Sequence, residues 1–168
     1  MILLRAIAAL ALMLSAGQAG DPASVSAAAK PAETQFYPAA ANGTAVLNAA
    51  LLDAKTSGKP AVIVFGADWC HDSRALAKVL ASDAFKAEFG ARYTVTLIDV
   101  GKPQTGAGRN LDLVKQLGVK NLKSTPALFV ISPDGKLLNG PKDAVSWRNA
   151  DSRGNLAMLA WFRSFGKK

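Results

Sequence analysis

Residues 61–73 read AVIVFGADWCHDS, and this stretch decides how the chain folds. The five residues at 61–65 are all apolar, the mark of a strand covered on both faces of a sheet. Lys59-Pro60 breaks the chain just before the run, and residues 66–69 supply the turn after it. Beyond residue 70 the period changes: Ala75, Leu76, Val79 and Leu80 recur at helical spacing, which predicts a helix over 71–80. Cys70 stands at the junction and is the only cysteine of the 168 residues.

Upstream, Val46, Leu47, Ala50, Leu51 and Ala54 predict a helix over 44–57, capped by Asn42 or Thr44 and stopped by Gly58. Downstream, Ser82-Asp83 restarts a short helical piece through Phe89, and 93–100 reads as a second strand. GKPQTGAGRN, 101–110, is a loop by composition, and 111–117 is a helix closed by Gly118. Ser124-Thr125-Pro126 leads into a strand at 127–132, which Pro133-Asp134-Gly135 turns into a short return strand at 136–138. A last amphipathic helix over 152–165 is expected to present Leu156, Leu159, Trp161 and Phe162 to the core, with Trp147 also in or near it. The order is α, β, α, β, α, β, β, α, without an internal repeat.

Half of the residues are hydrophobic, enough for one domain with a full core. Residues 1–20, MILLRAIAALALMLSAGQAG, place Arg5 before an apolar stretch at 6–14 and end in small and polar residues. That stretch is shorter than the ~20 residues that span a bilayer, so it reads as a cleavable secretory signal. No cysteine stands at the cleavage point, so no lipid anchor is indicated and the mature chain keeps no stable membrane anchor. Residues 21–41, DPASVSAAAKPAETQFYPAAA, read as a flexible lead, and the domain proper covers 42–168. The formal charge of +8 comes from lysines and arginines scattered along the chain. Without aromatic interleaving or an arginine-rich helix face, this is a solvated basic surface that favours acidic partners, not a specific nucleic-acid site. One cysteine cannot close an internal disulfide. A lone thiol sent to an oxidising compartment is either buried and inert or exposed and used.

The order of elements, parallel strands first and a hairpin last, with a cysteine where the first core strand gives way to a helix, resembles the thioredoxin-like superfamily over 42–165. The residues that carry the resemblance are AVIVFGADWC, the helix beginning at Cys70, and Thr125-Pro126 before the next strand. The lead-in GKPAVIVFGADWC is most similar to exported members. The resemblance implies an α/β thioredoxin-like fold, a central mixed sheet of about four strands flanked by helices. It also implies a periplasmic or secreted location. By itself an X-Pro bond is cis in only about 5–6% of cases, but the family pattern implies that Pro126 is cis and sits against Cys70. Such a bond would leave the Thr125 backbone free to pair with an extended substrate segment, as in strand addition.

Two positions depart from the family pattern. Ser73 replaces the resolving cysteine, giving a monothiol C-x-x-S site, Cys70-His71-Asp72-Ser73. Val64 replaces the buried acid that dithiol reductases carry six residues before the nucleophile. Together these changes remove the second half of a dithiol cycle.

A cysteine at the first turn of a helix faces unpaired backbone N–H groups and the positive end of the helix dipole, which favour a thiolate. Such sites bring a thiol from ~8.5 into the range ~3.5 to 7.5. Ser73, one turn on, is expected to donate its hydroxyl to the Cys70 sulfur. His71 adds positive charge when protonated, or is a solvated loop residue whose exposed neighbour Asp72 cancels it. Arg74 is a steadier positive charge. Trp69 is a flat wall for a bound peptide, or packing at a strand end. No cofactor or metal site is suggested, since one Cys and one adjacent His do not supply three or four ligands. A cysteine protease is disfavoured because His71, the sole histidine, is badly placed to act as a base for its neighbour.

Three functions compete. In the first, Cys70 attacks disulfides of protein clients through a mixed disulfide, which another thiol from the client, a small thiol or a redox partner protein releases. In the second, the fold is a non-redox peptide-binding or chaperone-like module. In the third, Cys70 is a peroxide or redox sensor passing through sulfenic acid, although no threonine or arginine motif beside it promotes that reaction.

Overall fold

A computed structural model describes residues 34–165. The expected signal peptide, 1–20, and the first part of the expected lead lie outside the described residues. The apolar run at 61–65 forms β1, Ala61–Gly66, buried along its whole length. It is the middle strand of a three-stranded sheet, with β2, Thr94–Asp99, parallel on one side and β5, Ala127–Ile131, antiparallel on the other. Successive β1 side chains point to opposite faces. Val62 and Val64 enter one core with helices α2, His71–Ala81, α3, Asp83–Phe89, and α6, Ala150–Phe165. Ala61, Ile63 and Phe65 enter a second core with α1, Gly43–Ser57, and α4, Leu111–Gln116. Helices on both faces explain why β1 carries no polar residue.

Local chemistry sets the helix ends. The Asn42 side chain accepts from the Ala45 N–H at 3.0 Å to begin α1, and Gly58, at φ 70°, ends it in the left-handed region. Between α2 and α3, Ser82 Oγ donates to the Val79 carbonyl at 2.6 Å and accepts from the Phe85 N–H at 3.2 Å. One side chain thus closes the first helix and opens the next.

The packed domain begins before residue 42. Tyr37, inside the expected lead, is buried in the core with α2. The expected loop 101–110 contains a small ribbon, β3 Gly101–Lys102 paired antiparallel with β4 Ala107–Gly108 around a 3-10 turn at Pro103–Thr105. The expected return strand at 136–138 is reduced to one bridge, Ile131 to Leu137. Beyond it, Asn139 takes over the ladder: Oδ1 accepts from the Val130 N–H at 2.7 Å and Nδ2 donates to the Leu128 carbonyl at 2.9 Å. A short helix, α5 Pro141–Ala144, and a 3-10 segment, Val145–Asn149, then carry the fully buried Trp147 into the core.

Leu156 corrects another expectation. It is 80% exposed, while Met158, Leu159 and Phe162 are buried and Trp161 is partly so. Gly154, at φ 72° and ψ 159°, breaks α6. In the helical part beyond it, Leu156 lies about 200° around the axis from Met158, on the solvent side.

Candidate functional site

Pairing of β1 with β5 brings Phe65 opposite Ala127. The residues just after β1 therefore meet the residues just before β5. Cys70 is the N-cap of α2, with extended backbone at φ −89° and ψ 121°, and its carbonyl accepts from the Arg74 N–H at 3.0 Å. Its Sγ donates to the Thr125 carbonyl at 3.4 Å, and the Thr125–Pro126 bond is cis. Cys70 is buried, 7% exposed. Trp69 beside it is 47% exposed, and its Nε1 donates to the Gly101 carbonyl at 2.7 Å. Gly101 is fixed in turn by Asp99, whose Oδ2 accepts the Gly101 N–H at 3.0 Å and lies 3.3 Å from Arg109 Nε. The ribbon β3–β4 is thereby held against the indole. A cavity of about 260 Å³ lies there, lined by Tyr37, Asp68, Trp69, Lys102 and Arg109 among others.

A family model described as a thioredoxin-like domain matches residues 47–145. The chain belongs to the thioredoxin-like family. Among solved structures, this thioredoxin-like protein is similar to the crystal structure of a disulphide isomerase from Xylella fastidiosa Temecula1, with 30% identity and a TM-score of 0.71. The match covers 80% of this chain and 98% of that one. No curated protein matches the chain.

Cys70, Thr125 and Pro126 thus stand together, and Trp69 adjoins Cys70 in the chain. Ser73 joins them differently from expectation. It is fully buried, and its Oγ has no hydrogen-bond partner among the described residues, so the expected donation to the Cys70 sulfur is not formed. Ser73 takes part through its backbone: its carbonyl accepts the Tyr37 hydroxyl at 3.1 Å. The Thr125 carbonyl, expected to be free, is occupied by the thiol, and Thr125 Oγ1 is buried without a partner among the described residues. His71 is solvated, its side chain 71% exposed, with Nε2 3.2 Å from Asp72 Oδ2. Asp72 is not the exposed neighbour expected, because it is buried and its Oδ1 accepts from the Asp151 N–H at 2.9 Å. It ties the start of α6 to the start of α2. The Arg74 guanidinium donates to the Asp68 carbonyl at 2.5 Å, across the same turn.

Val64, where the family acid would stand, is packed in the core under α2. Among the described residues, no three His, Cys, Asp or Glu side chains cluster to hold a metal. A wider cavity, about 840 Å³, opens at the other end of β1, where Pro60, Tyr93, Leu138, Trp161 and Phe165 line it, and it touches none of these site residues.

Sequence reasoning missed Tyr37 and Asp68. The Asp68 carboxylate accepts from the Phe36 N–H at 2.9 Å and the Tyr37 N–H at 3.1 Å, fastening the N-terminal segment beside the site. The available signal was Phe36-Tyr37, two adjacent large aromatics in a stretch rich in Ala, Pro and Ser.

Proposed function

We propose that this is an exported monothiol thiol–disulfide exchange protein, preceded by a cleavable signal at 1–20, that isomerises disulfides of protein clients in the periplasm or outside the cell. The observation that carries the reading is the Cys70 sulfur at the N-terminus of α2, 3.4 Å from the Thr125 carbonyl beside cis-Pro126, with Ser73 where a resolving thiol would be. Membership of the thioredoxin-like family and the likeness to a disulphide isomerase support a role in thiol–disulfide chemistry. Isomerisation fits a single sulfur because it needs no net electron transfer. The Cys70 thiolate bonds to one sulfur of a client disulfide, the client S–S bond breaks, and the second client sulfur leaves as a thiolate and is protonated. Another client thiolate then attacks the mixed disulfide, forming a new client disulfide and returning Cys70 as thiolate. Trp69 and the Thr125 backbone are the proposed client contacts, with His71 at the rim.

The test is trapping in the native compartment with wild type and Cys70→Ala. Wild type is expected to yield Cys70-linked client adducts by mass spectrometry and to speed recovery of a scrambled disulfide substrate; Cys70→Ala should do neither. A bare Cys70 thiol, with Cys70→Ala replacing wild type in the cell, would instead establish the peptide-binding reading. That second reading draws on the covered sulfur and the unbonded Ser73 hydroxyl.

A further inference from the structure

Tyr37 lies outside every motif of the chain yet inside the thiol site. Its side chain is 1% exposed. Its ring rests on Gly66, the last residue of β1, where a Cβ would stand 2.7 Å from both the phenol Cζ and the hydroxyl oxygen. Only a glycine at 66 leaves room for it. Its hydroxyl donates to the Ser73 carbonyl at 3.1 Å, in the first turn of α2. Its backbone is held by the Asp68 carboxylate two residues before Cys70. Burial, then the charges of Asp68 and Cys70, push the phenol well above its usual range, so the group keeps its proton and acts as a fixed donor, not a base. That Cys70 is among the causes puts phenol and thiol in one electrostatic neighbourhood.

We propose that Tyr37 is a positioning residue for Cys70: its hydroxyl pins the first turn of α2 through the Ser73 carbonyl and so holds the sulfur in its place against the Thr125 carbonyl. The inference rests on the exchange reading above. α2 begins at a cysteine whose side chain makes no capping hydrogen bond, so its first turn lacks the local restraint that a Ser, Asp or Asn cap supplies. Asp72, bonded to Asp151, restrains the turn from the α6 side. Tyr37 restrains it from the strand side.

The experiment uses the full chain and a small aromatic disulfide, 5,5′-dithiobis(2-nitrobenzoate), whose released thiolate is coloured. The Cys70 thiolate forms a bond to one probe sulfur, the probe S–S bond breaks, and the other half leaves with the electron pair. Tyr37→Leu removes ring and hydroxyl, whereas Tyr37→Phe removes only the hydroxyl. Phe is expected to recover most of the Tm lost in Leu while its rate constant stays about 5-fold below wild type, the effect of one lost hydrogen bond. Hydrogen exchange at 71–76 should quicken in Tyr37→Phe, with α3 and β5 unchanged. A Tyr37→Phe rate within about twofold of wild type, or unchanged exchange at 71–76, overturns the inference. If wild-type Cys70 forms no client adduct, the exchange reading fails, and the hydrogen-exchange result still decides whether Tyr37 sets the turn.

Discussion

Ser73 is the third residue of α2, one turn on from Cys70, and is fully buried. Residues spaced by three share a helix face, so a sulfur at 73 would stand behind the first one. Ser73→Cys is expected to close an internal disulfide under oxidising conditions and to shorten the life of a Cys70–client mixed disulfide by at least about tenfold, because the attack becomes intramolecular. Mass spectrometry of a preformed adduct, chased without added thiol, measures this; an adduct as durable as that of wild type would show that a missing resolving thiol is not what holds the client. At this scale Cys70, Thr125 and Pro126 were legible because the residues around them resemble the family pattern, which implies a strand end and a strand start brought together. The direction of the Ser73 hydroxyl was not, since rotation about one bond decides between sulfur and core. Tyr37 was not legible either: its role comes from Asp68 and Gly66, residues about 30 positions away that no local pattern links to it.

Elements divide in the same way between those set by local pattern and those set by tertiary contact. The strand at 61–66 and the helices α1, α2 and α3 were readable because apolar spacing, Asn42, Gly58 and Ser82 all agree. The return strand at 136–138 is cut short for a physical reason. After one bridge at Leu137, the amide of Asn139 satisfies Val130 N–H and Leu128 C=O, and the backbone is released into α5. A side chain replacing a strand leaves no period to read. Asn139 is buried, so Asn139→Ala strands two backbone groups of β5 at the sheet edge. The expected loss is about 2–4 kcal/mol in urea unfolding, at roughly 1–3 kcal/mol for each unsatisfied group less what entering water recovers. A loss under about 0.5 kcal/mol, the size of an ordinary surface change, would mean the amide is not holding that edge. The break at Gly154 is likewise invisible to periodicity, which carries straight through it and turns Leu156 inward on paper.

The whole molecule places its chemistry at one end of the sheet and most of its cohesion behind it, in two apolar cores on either side of β1. Over this frame lies an excess of positive charge, 20 Lys and Arg against 12 Asp and Glu, so each carboxylate that takes up a proton adds to self-repulsion. Two exposed carboxylates are held ionised by specific partners. The Arg163 guanidinium, bonded to both oxygens of Glu88 and so joining α6 to α3, holds that carboxyl below its ordinary value. Lys136 at 2.7 Å, with the Ser132 hydroxyl, lowers Asp134 from 3.8 to about 2. In both, the folded state binds the proton less tightly than the unfolded chain does. Their stabilisation is therefore complete above the unfolded carboxylate range and is lost as pH falls through the folded pKa, about 2 for Asp134. Exposure keeps each contribution small and salt-sensitive. The double variant Glu88→Gln, Asp134→Asn should accordingly be less stable than wild type at neutral pH, and the gap in urea midpoint should close between about pH 4 and about pH 2. It should also narrow in high salt at neutral pH. A gap that stays constant down to about pH 2 would mean that these pairs do not shape the acid limb, and that repulsion among the remaining cations alone unfolds the molecule.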